Sequence, residues 1–333
     1  MRSYKELGLV NASDMYKRAL AGHYAVPGYN FKTLEQLMAI VQACIETESP
    51  VLLQHFPPPA EEMHPAIVLG LVRGAVEMAD GRIDIAFHLD HGISFEQCKA
   101  CIDGGYSSVM IDGSQLPFAE NVALTREVVV YAHERDVTVE GELGGIAGRE
   151  TASGPMVERF TTPDEAEAFV AATGVDALAV SIGTVHGAFK NILKPGDVPP
   201  PLRLDILEGI KQRMPWLPIV LHGASGIPQE HVDVVNAHGG SLPRAVGIPD
   251  DQVRKAIAIN VCKVNIHTDS QIAMTGAVRA YLDAHPAEYD PRKYLGAARK
   301  AMVALYADKN RRLLGCEGKA APNREREKTS KSS

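Results

Sequence analysis

The sequence predicts an α/β fold of the (β/α)8 TIM-barrel class, one domain with extended C-terminal helices. Three observations lead to it. Short apolar runs alternate with amphipathic stretches eight times along the chain. The chain has 333 residues, which accommodates a barrel of ~250 residues with insertions. Polar residues gather at the trailing ends of the apolar runs, where a barrel brings its strand ends together on one face. A doubly wound open sheet is the second choice. Nothing like GxGxxG follows the first run, which argues against a dinucleotide-binding version.

The strands are expected at 24–30, 50–56, 84–91, 108–114, 138–145, 177–184, 218–225 and 262–269. The first ends on Asn30, and the third ends in His88, Asp90 and His91. The fourth runs into Asp112-Gly113-Ser114, and the fifth carries Glu140 and Glu142. The sixth runs into Gly183-Thr184-Val185-His186-Gly187, the seventh into His222-Gly223-Ala224-Ser225-Gly226. The eighth ends in Asn265, His267, Thr268 and Asp269. Between strands lie helical patterns such as LEQLMAIVQACIE and FAENVALTREVVVYAHE, with apolar residues three and four apart. Thr33 and Ser94 are suited to cap such helices. Two stretches, 146–162 and 226–250, exceed ordinary connections, and both follow strand ends, where long loops serve as lids or substrate contacts. The barrel is expected to occupy 1–318, with 319–333 a polar, disordered tail.

Composition narrows the function classes. Hydrophobic residues make 45% and charged residues 23%, as in a soluble globular protein. No apolar run approaches the ~20 residues that span a bilayer, and the N-terminus lacks a signal-peptide core. A cytoplasmic protein without a membrane partner is expected. Net charge is −7; the last fifteen residues carry +3, leaving −10 for the rest. Nucleic acid is therefore not an expected partner. The five cysteines read as free thiols. Cys98 and Cys101 have CxxC spacing, but no second pair completes a zinc site, and two small thiols at i, i+3 suit a helix core face.

Buried charge is costly unless it is paired or bound to metal. Histidines at the ends of strands three, six and seven converge in a barrel. Three imidazoles leave a zinc ion one open position, as in catalytic zinc sites. His91, His186 and His222 are therefore the candidate ligands, each followed by a glycine that allows close backbone approach: Gly92, Gly187 and Gly223. Asp90 is placed to move a proton or to orient a histidine. Asp112 and Glu142 are candidates for an alternative metal position or for orienting the ligands. A rival reading is a metal-free enzyme with an imine-forming Lys263 on the eighth strand; another is a non-catalytic barrel.

Taken together, HYAVPGYN, HLDHG, SVMIDGS, VEGELGGIAGRE, GTVHGAFK, LHGASGIP, KVNIHTD and YDPRKYL resemble the class II, metal-dependent fructose-bisphosphate aldolases, from about Val10 to Gly318. The stretch VVNAHGGSLPRAVGIP looks like that of the class IIB branch, which includes Calvin-cycle and protist enzymes. The resemblance implies a lyase that reversibly cleaves fructose 1,6-bisphosphate to dihydroxyacetone phosphate and glyceraldehyde 3-phosphate through a zinc-stabilised enediolate. Glycolysis, gluconeogenesis or the Calvin cycle is the setting. Tagatose 1,6-bisphosphate or another ketose 1-phosphate is the alternative substrate.

Carried over by position, the resemblance makes His91, His186 and His222 the zinc ligands, with Asp112 and Glu142 around a second metal position. Asp90 becomes the acid/base at the C4 oxygen, Glu150 the group exchanging the C3 proton, and Asn30 a neighbour of the reacting carbon. Gly187, Lys190, Gly223 and Ser225 match the C1-phosphate pocket, with Asn265, His267 and Thr268 nearby. Arg292 matches the arginine for the far phosphate. Val185, Gly187 and Gly223 resemble carbonyl donors to a monovalent cation, Na+ or K+. A homodimer or homotetramer is implied. Three positions depart from the pattern. His267 stands where many fructose enzymes have Asp and tagatose relatives have Ala. His55-Phe56 and three prolines replace a Ser and a Gly-rich turn, and Arg149 replaces a Glu of some relatives.

Overall fold

The structure, a computed structural model, describes residues 2–56, 63–145, 159–184, 200–243 and 246–321. Eight parallel strands close in sequence order into a barrel: β1 Val26–Asn30, β2 Val51–His55, β3 Ile85–Gly92, β4 Ser108–Ile111, β5 Thr138–Leu143, β6 Ala177–Val180, β7 Ile219–Leu221 and β8 Val261–Ile266. The ring closes where β1 meets β8, with Val26 opposite Lys263 and Gly28 opposite Asn265. Each expected strand overlaps an observed one, and several expected windows run too far at the trailing end. Asp112, His222, Ser225 and His267 all lie just past the last paired residue of their strands. The ladders stop there because the residues beyond, many of them polar, turn toward the strand ends.

The helices outside the barrel are α1 Ser13–Gly22, α2 Leu34–Glu46, α3 Pro65–Ala79, α4 Phe95–Asp103, α5 Phe118–His133, α6 Pro163–Thr173, α7 Leu204–Arg213, α8 Gln229–Ala237, α9 Asp250–Ile259, α10 Thr268–Ala284 and α11 Pro291–Asp308. Thr33 Oγ1 accepts from Gln36 N, and Ser94 Oγ from Gln97 N, so both sequence-derived caps form. Thr162 and Glu165 make a reciprocal capping box at α6. Cys98 is buried on α4 and Cys101 half-buried, and neither is in a disulfide. Both thiols are pushed up by burial, Cys101 to about 12, which suits core packing rather than nucleophilic or metal chemistry.

Strand side chains alternate faces, so one strand sends every second residue into the barrel. The outward set, including Leu53, Phe87, Leu89, Val139 and Val264, is fully buried against the helices. The inward set includes a polar cluster. It forms two layers: His88, Glu140 and Lys263 below, and Asn30, Asp90, Glu142 and Asn265 above, nearer the trailing ends, with Gln54 beside Asn265.

Beyond α11 the chain crosses the leading ends of β1, β2 and β3. Asn310 Nδ2 donates to Thr47 Oγ1 at 3.0 Å, and its Oδ1 accepts from Tyr29 Oη at 2.7 Å. Ala25 N donates to the Leu314 carbonyl, Gly318 N to that of Thr47, Ala320 N to that of Glu48, and Ala321 N to Asp84 Oδ1. Lys319 to Ala321, assigned to the tail in the sequence, are thus tied to the barrel; the rest of the tail lies outside the described residues.

Candidate active site

The polar strand ends meet around His91. Its backbone takes the left-handed conformation (φ 52°), and the β3–β4 register slips between Leu89 and Gly92. A non-glycine residue there is uncommon and carries strain, of a kind that clusters at functional sites. The kink lets both Asp90 and His91 contribute to the site. Gly92 is required by close packing: a Cβ there would sit 2.5 Å from the Met110 carbonyl oxygen.

His91 Nδ1 lies 3.0 Å from Asp112 Oδ2, whose other oxygen accepts from the backbone and hydroxyl of Ser114. A carboxylate only accepts, so it fixes the proton on Nδ1 and turns Nε2 inward. His222 is the mirror case. Its Nε2 lies 2.7 Å from Glu140 Oε1, so Nδ1 faces inward, 3.1 Å from His91 Nε2. Two imidazole nitrogens aimed at each other require a proton or a metal ion between them. Burial opposes a charge on His91, but Asp90, Asp112 and Glu142 outweigh it and push its pKa up to about 10.

The surroundings favour a cation. Asp90 and Glu142 are both 1% exposed, and Glu142 Oε2 has no hydrogen-bond partner among the described residues. Burial and then the Asp112 charge hold the Glu142 carboxyl well above its usual range. Asp90, His91 and His222 bring ligand atoms within 4.8 Å of one another, and so do His91, Asp112 and Glu142. Imidazole and carboxylate donors of this kind suit zinc. The residues therefore fit a metal ion, and the two overlapping sets fit two alternative positions for it.

Asp90 itself is held from both sides: Oδ2 accepts from Asn30 Nδ2 at 2.7 Å, Oδ1 from Asn265 Nδ2 at 3.2 Å. Ser225 Oγ accepts from the His267 backbone N–H at 3.3 Å, and Gly223 (φ 63°) makes the turn after β7. Asp269, fully buried, accepts from Gly226 N and Ile227 N, and Lys309 Nζ stands 3.2 Å from it. The Phe56 ring lies parallel to His91 at 5.8 Å between centroids and tilts against His267 at 5.7 Å. Two of the three departures from the family pattern, Phe56 and His267, are thus neighbours, forming a wall beside the candidate ligand.

The structure brings together Asn30, Asp90, His91, Asp112, Glu142, His222 and Asn265, with Gly223, Ser225, His267 and Thr268 at adjoining strand ends. Glu150, Val185, His186, Gly187 and Lys190 lie outside the described residues. Within this chain Arg292 stands apart from the other candidate residues. α11 runs alongside α2 in the same sense, with Arg299 beside Met38 and Asn310 beside Thr47. The α10–α11 hairpin consequently rises from the strand ends, and Arg292 lies near its tip, about 20 Å along from Thr268 at 1.5 Å per residue. Its side chain is 88% exposed and pairs with Asp290.

Lys263, the imine former of the rival reading, is an ion-pair partner. It is fully buried, with Nζ 2.7 Å from Glu140 Oε2 and 3.1 Å from His88 Nε2. A paired ammonium beneath the site cannot attack a carbonyl above it. Sequence reading also missed Gln54, buried on β2 with neither amide atom partnered among the described residues. A Cβ on Gly28 would collide with Gln54 Oε1 and lie 2.7 Å from Asn265 Oδ1, so that glycine lets the two amides sit side by side. The period-2 pattern of VLLQH, with a polar residue at an inward position, was the available signal.

Comparison with known proteins agrees with this geometry. The family model described as "Fructose-bisphosphate aldolase class-II" matches residues 10–319. A fructose-bisphosphate aldolase of Treponema pallidum is 52% identical, over 96% of this chain and 100% of that protein. One of Giardia intestinalis is 41% identical, over 90% and 91%. Among solved structures, the YdjI aldolase of Escherichia coli K12 superposes with a TM-score of 0.74 at 27% identity, over 94% of this chain and 100% of that one. The Campylobacter jejuni fructose-bisphosphate aldolase, at 21% identity and TM-score 0.71, shares the fold. The chain belongs to the class II fructose-bisphosphate aldolase family.

Proposed function

We propose that the chain reversibly cleaves fructose 1,6-bisphosphate to dihydroxyacetone phosphate and glyceraldehyde 3-phosphate, as a cytoplasmic homodimer or homotetramer. Zinc would be held by His91, His186 and His222, with Asp112 and Glu142 serving a second position. The observation that carries the reading is the pair of inward imidazole nitrogens 3.1 Å apart, beside a buried aspartate clamped by two amides. Bound there, the ion supplies Lewis-acid stabilisation of the charge that develops on the ketose oxygens.

Asp90 takes the C4 hydroxyl proton as the C3–C4 bond breaks and returns it in the synthetic direction. Asn30 and Asn265 hold both its oxygens, so it meets the substrate in one orientation. Glu150 exchanges the proton at C3. Gly187, Lys190, Gly223, Ser225, Asn265 and Thr268 would bind the C1 phosphate, and His267 a sugar hydroxyl or anionic group of the substrate. The carbonyls of Val185, Gly187 and Gly223 take Na+ or K+. Arg292, at the tip of its hairpin, reaches a far phosphate only across a subunit boundary, which makes the oligomer part of the reading.

The test is cleavage of fructose and tagatose 1,6-bisphosphates side by side, untreated, with EDTA, and after zinc is restored. Expected is preference for the fructose ester, loss in EDTA, and recovery with zinc. Preference for the tagatose ester would replace the substrate. Zinc-dependent exchange of the C3 proton of dihydroxyacetone phosphate, with neither ester cleaved, would move the aldehyde elsewhere and point to the Phe56–His267 wall. Activity indifferent to EDTA would overturn the metal assignment.

A further inference from the structure

Below the site the barrel holds a chain of polar contacts with no part in the roles above. Ser108 Oγ is 2.8 Å from His88 Nδ1, His88 Nε2 is 3.1 Å from Lys263 Nζ, and Lys263 Nζ is 2.7 Å from Glu140 Oε2. The opposite oxygen, Glu140 Oε1, meets His222 Nε2 at 2.7 Å. None of these five side chains is more than 1% exposed. A buried ion pair of this kind gains a protein little stability over apolar packing, so its presence calls for another account.

The geometry supplies one. Glu140 has two oxygens: Lys263 engages one at 2.7 Å, with His88 Nε2 3.7 Å from it, and His222 engages the other. Without the ammonium, Oε2 loses its hydrogen-bonded partner and keeps only His88 at 3.7 Å, so the carboxylate is held less firmly. With it, Oε1 stays in line with His222 Nε2, and the imidazole keeps Nδ1 toward His91. We infer that Lys263 is a positioning residue which, through Glu140, sets the tautomer and direction of His222 for metal binding. The inference deepens the zinc reading and rests on it. The period-2 pattern of strand side chains provides the means: Lys263 and Asn265, Glu140 and Glu142, His88 and Asp90 are each two residues apart, one layer beneath the other.

The experiment uses the full chain, stripped of metal and titrated with zinc against a chromophoric chelator. Lys263→Met keeps the stem and removes the charge; Glu140→Gln keeps the shape and removes the second strong acceptor. Each is expected to bind zinc about 10- to 100-fold more weakly than wild type. Each should also alter the visible spectrum of the cobalt-substituted protein. With histidine labelled in 15N, the metal-free wild type should show His222 protonated on Nε2, and Lys263→Met should show a mixture. A folded Lys263→Met protein with wild-type zinc affinity and an unchanged cobalt spectrum overturns the inference. If Lys263→Met does not fold, Glu140→Gln decides: unchanged affinity overturns it, weakened affinity with an intact melting temperature supports it. A wild-type chain that takes up no zinc fails the underlying reading instead, so the two failures are told apart.

Discussion

His55, the last residue of β2, is packed near Phe31 with its Nδ1 3.3 Å from the Tyr106 hydroxyl. Burial lowers its pKa from 6.5 to about 4. The unfolded chain takes up this proton as pH falls below 6.5, while the folded chain refuses it until about pH 4. Stability from this group is therefore complete above 6.5 and is lost as pH drops toward 4. Between pH 7 and 5 the loss amounts to about 2 kcal/mol. His55→Gln retains a partner for Tyr106 and cannot titrate. Urea unfolding at the two pH values should show wild type losing about 2 kcal/mol more than the variant. Parallel losses would place the acid sensitivity elsewhere. Residues differ in how readable they are. Asp90 and His91 announced themselves as charge at the end of an apolar run. Glu140 and Lys263 were visible too, but their pairing depends on which positions of β5 and β8 face each other across the barrel. No local pattern carries that information, and so Lys263 reads from sequence as a possible nucleophile when it is an ion-pair partner.

Among the elements, β7 and the turn after it depend on a residue of α10. Asp269 accepts both Gly226 N and Ile227 N, and Lys309 pairs with it from beyond α11. Ile227 is left-handed (φ 49°), so the turn is strained and needs this support. Asp269→Asn retains one acceptor and loses the charge. It is expected to raise KM for a phosphorylated ketose about tenfold, with kcat changed less than threefold and zinc content unchanged, because the turn carries Gly223 and Ser225 rather than the ligand nitrogens. Steady-state kinetics with metal analysis would check it; equal losses in kcat and zinc would refute it. Element existence was legible because period 2 and period 3.6 are local properties: α2 falls at the bounds its apolar pattern set. The trailing ends of the strands were not, since a ladder stops where its neighbour stops. The place of Arg292 in the fold was not legible for a related reason. Its motif marks the start of α11, while the direction of the α10–α11 hairpin is set by packing on α2.

Across the whole molecule, the barrel is held shut by more than its β1–β8 ladder. From Lys309 to Ala321 the chain bonds in turn to β8's neighbour Asp269, to Tyr29, Thr47 and Glu48, and to Asp84. Asp84 is buried and ion-paired with Arg18 of α1. Ending the chain after Asp308 leaves the Tyr29 hydroxyl and the Thr47 side chain without these partners and uncovers Cys44 and Tyr29. Unmet buried groups cost about 1–3 kcal/mol each. Such a truncation should lower the melting temperature by about 10 °C or prevent folding, while ending after Ala321 should change it by less than about 2 °C. Thermal unfolding of both chains tests this, and equal melting temperatures would show that the segment only lies on the barrel.

The same anchorage fixes a direction in space. Ala321 is bonded at the leading end of β3, on the opposite side of the barrel from Asp90 and His91 at that strand's other end. A chain fastened to a solid support through a C-terminal linker would therefore stand with its catalytic mouth turned to the liquid. Fastened through an engineered cysteine on the α10–α11 hairpin, it would be held on the side of its mouth, close to where substrate must pass.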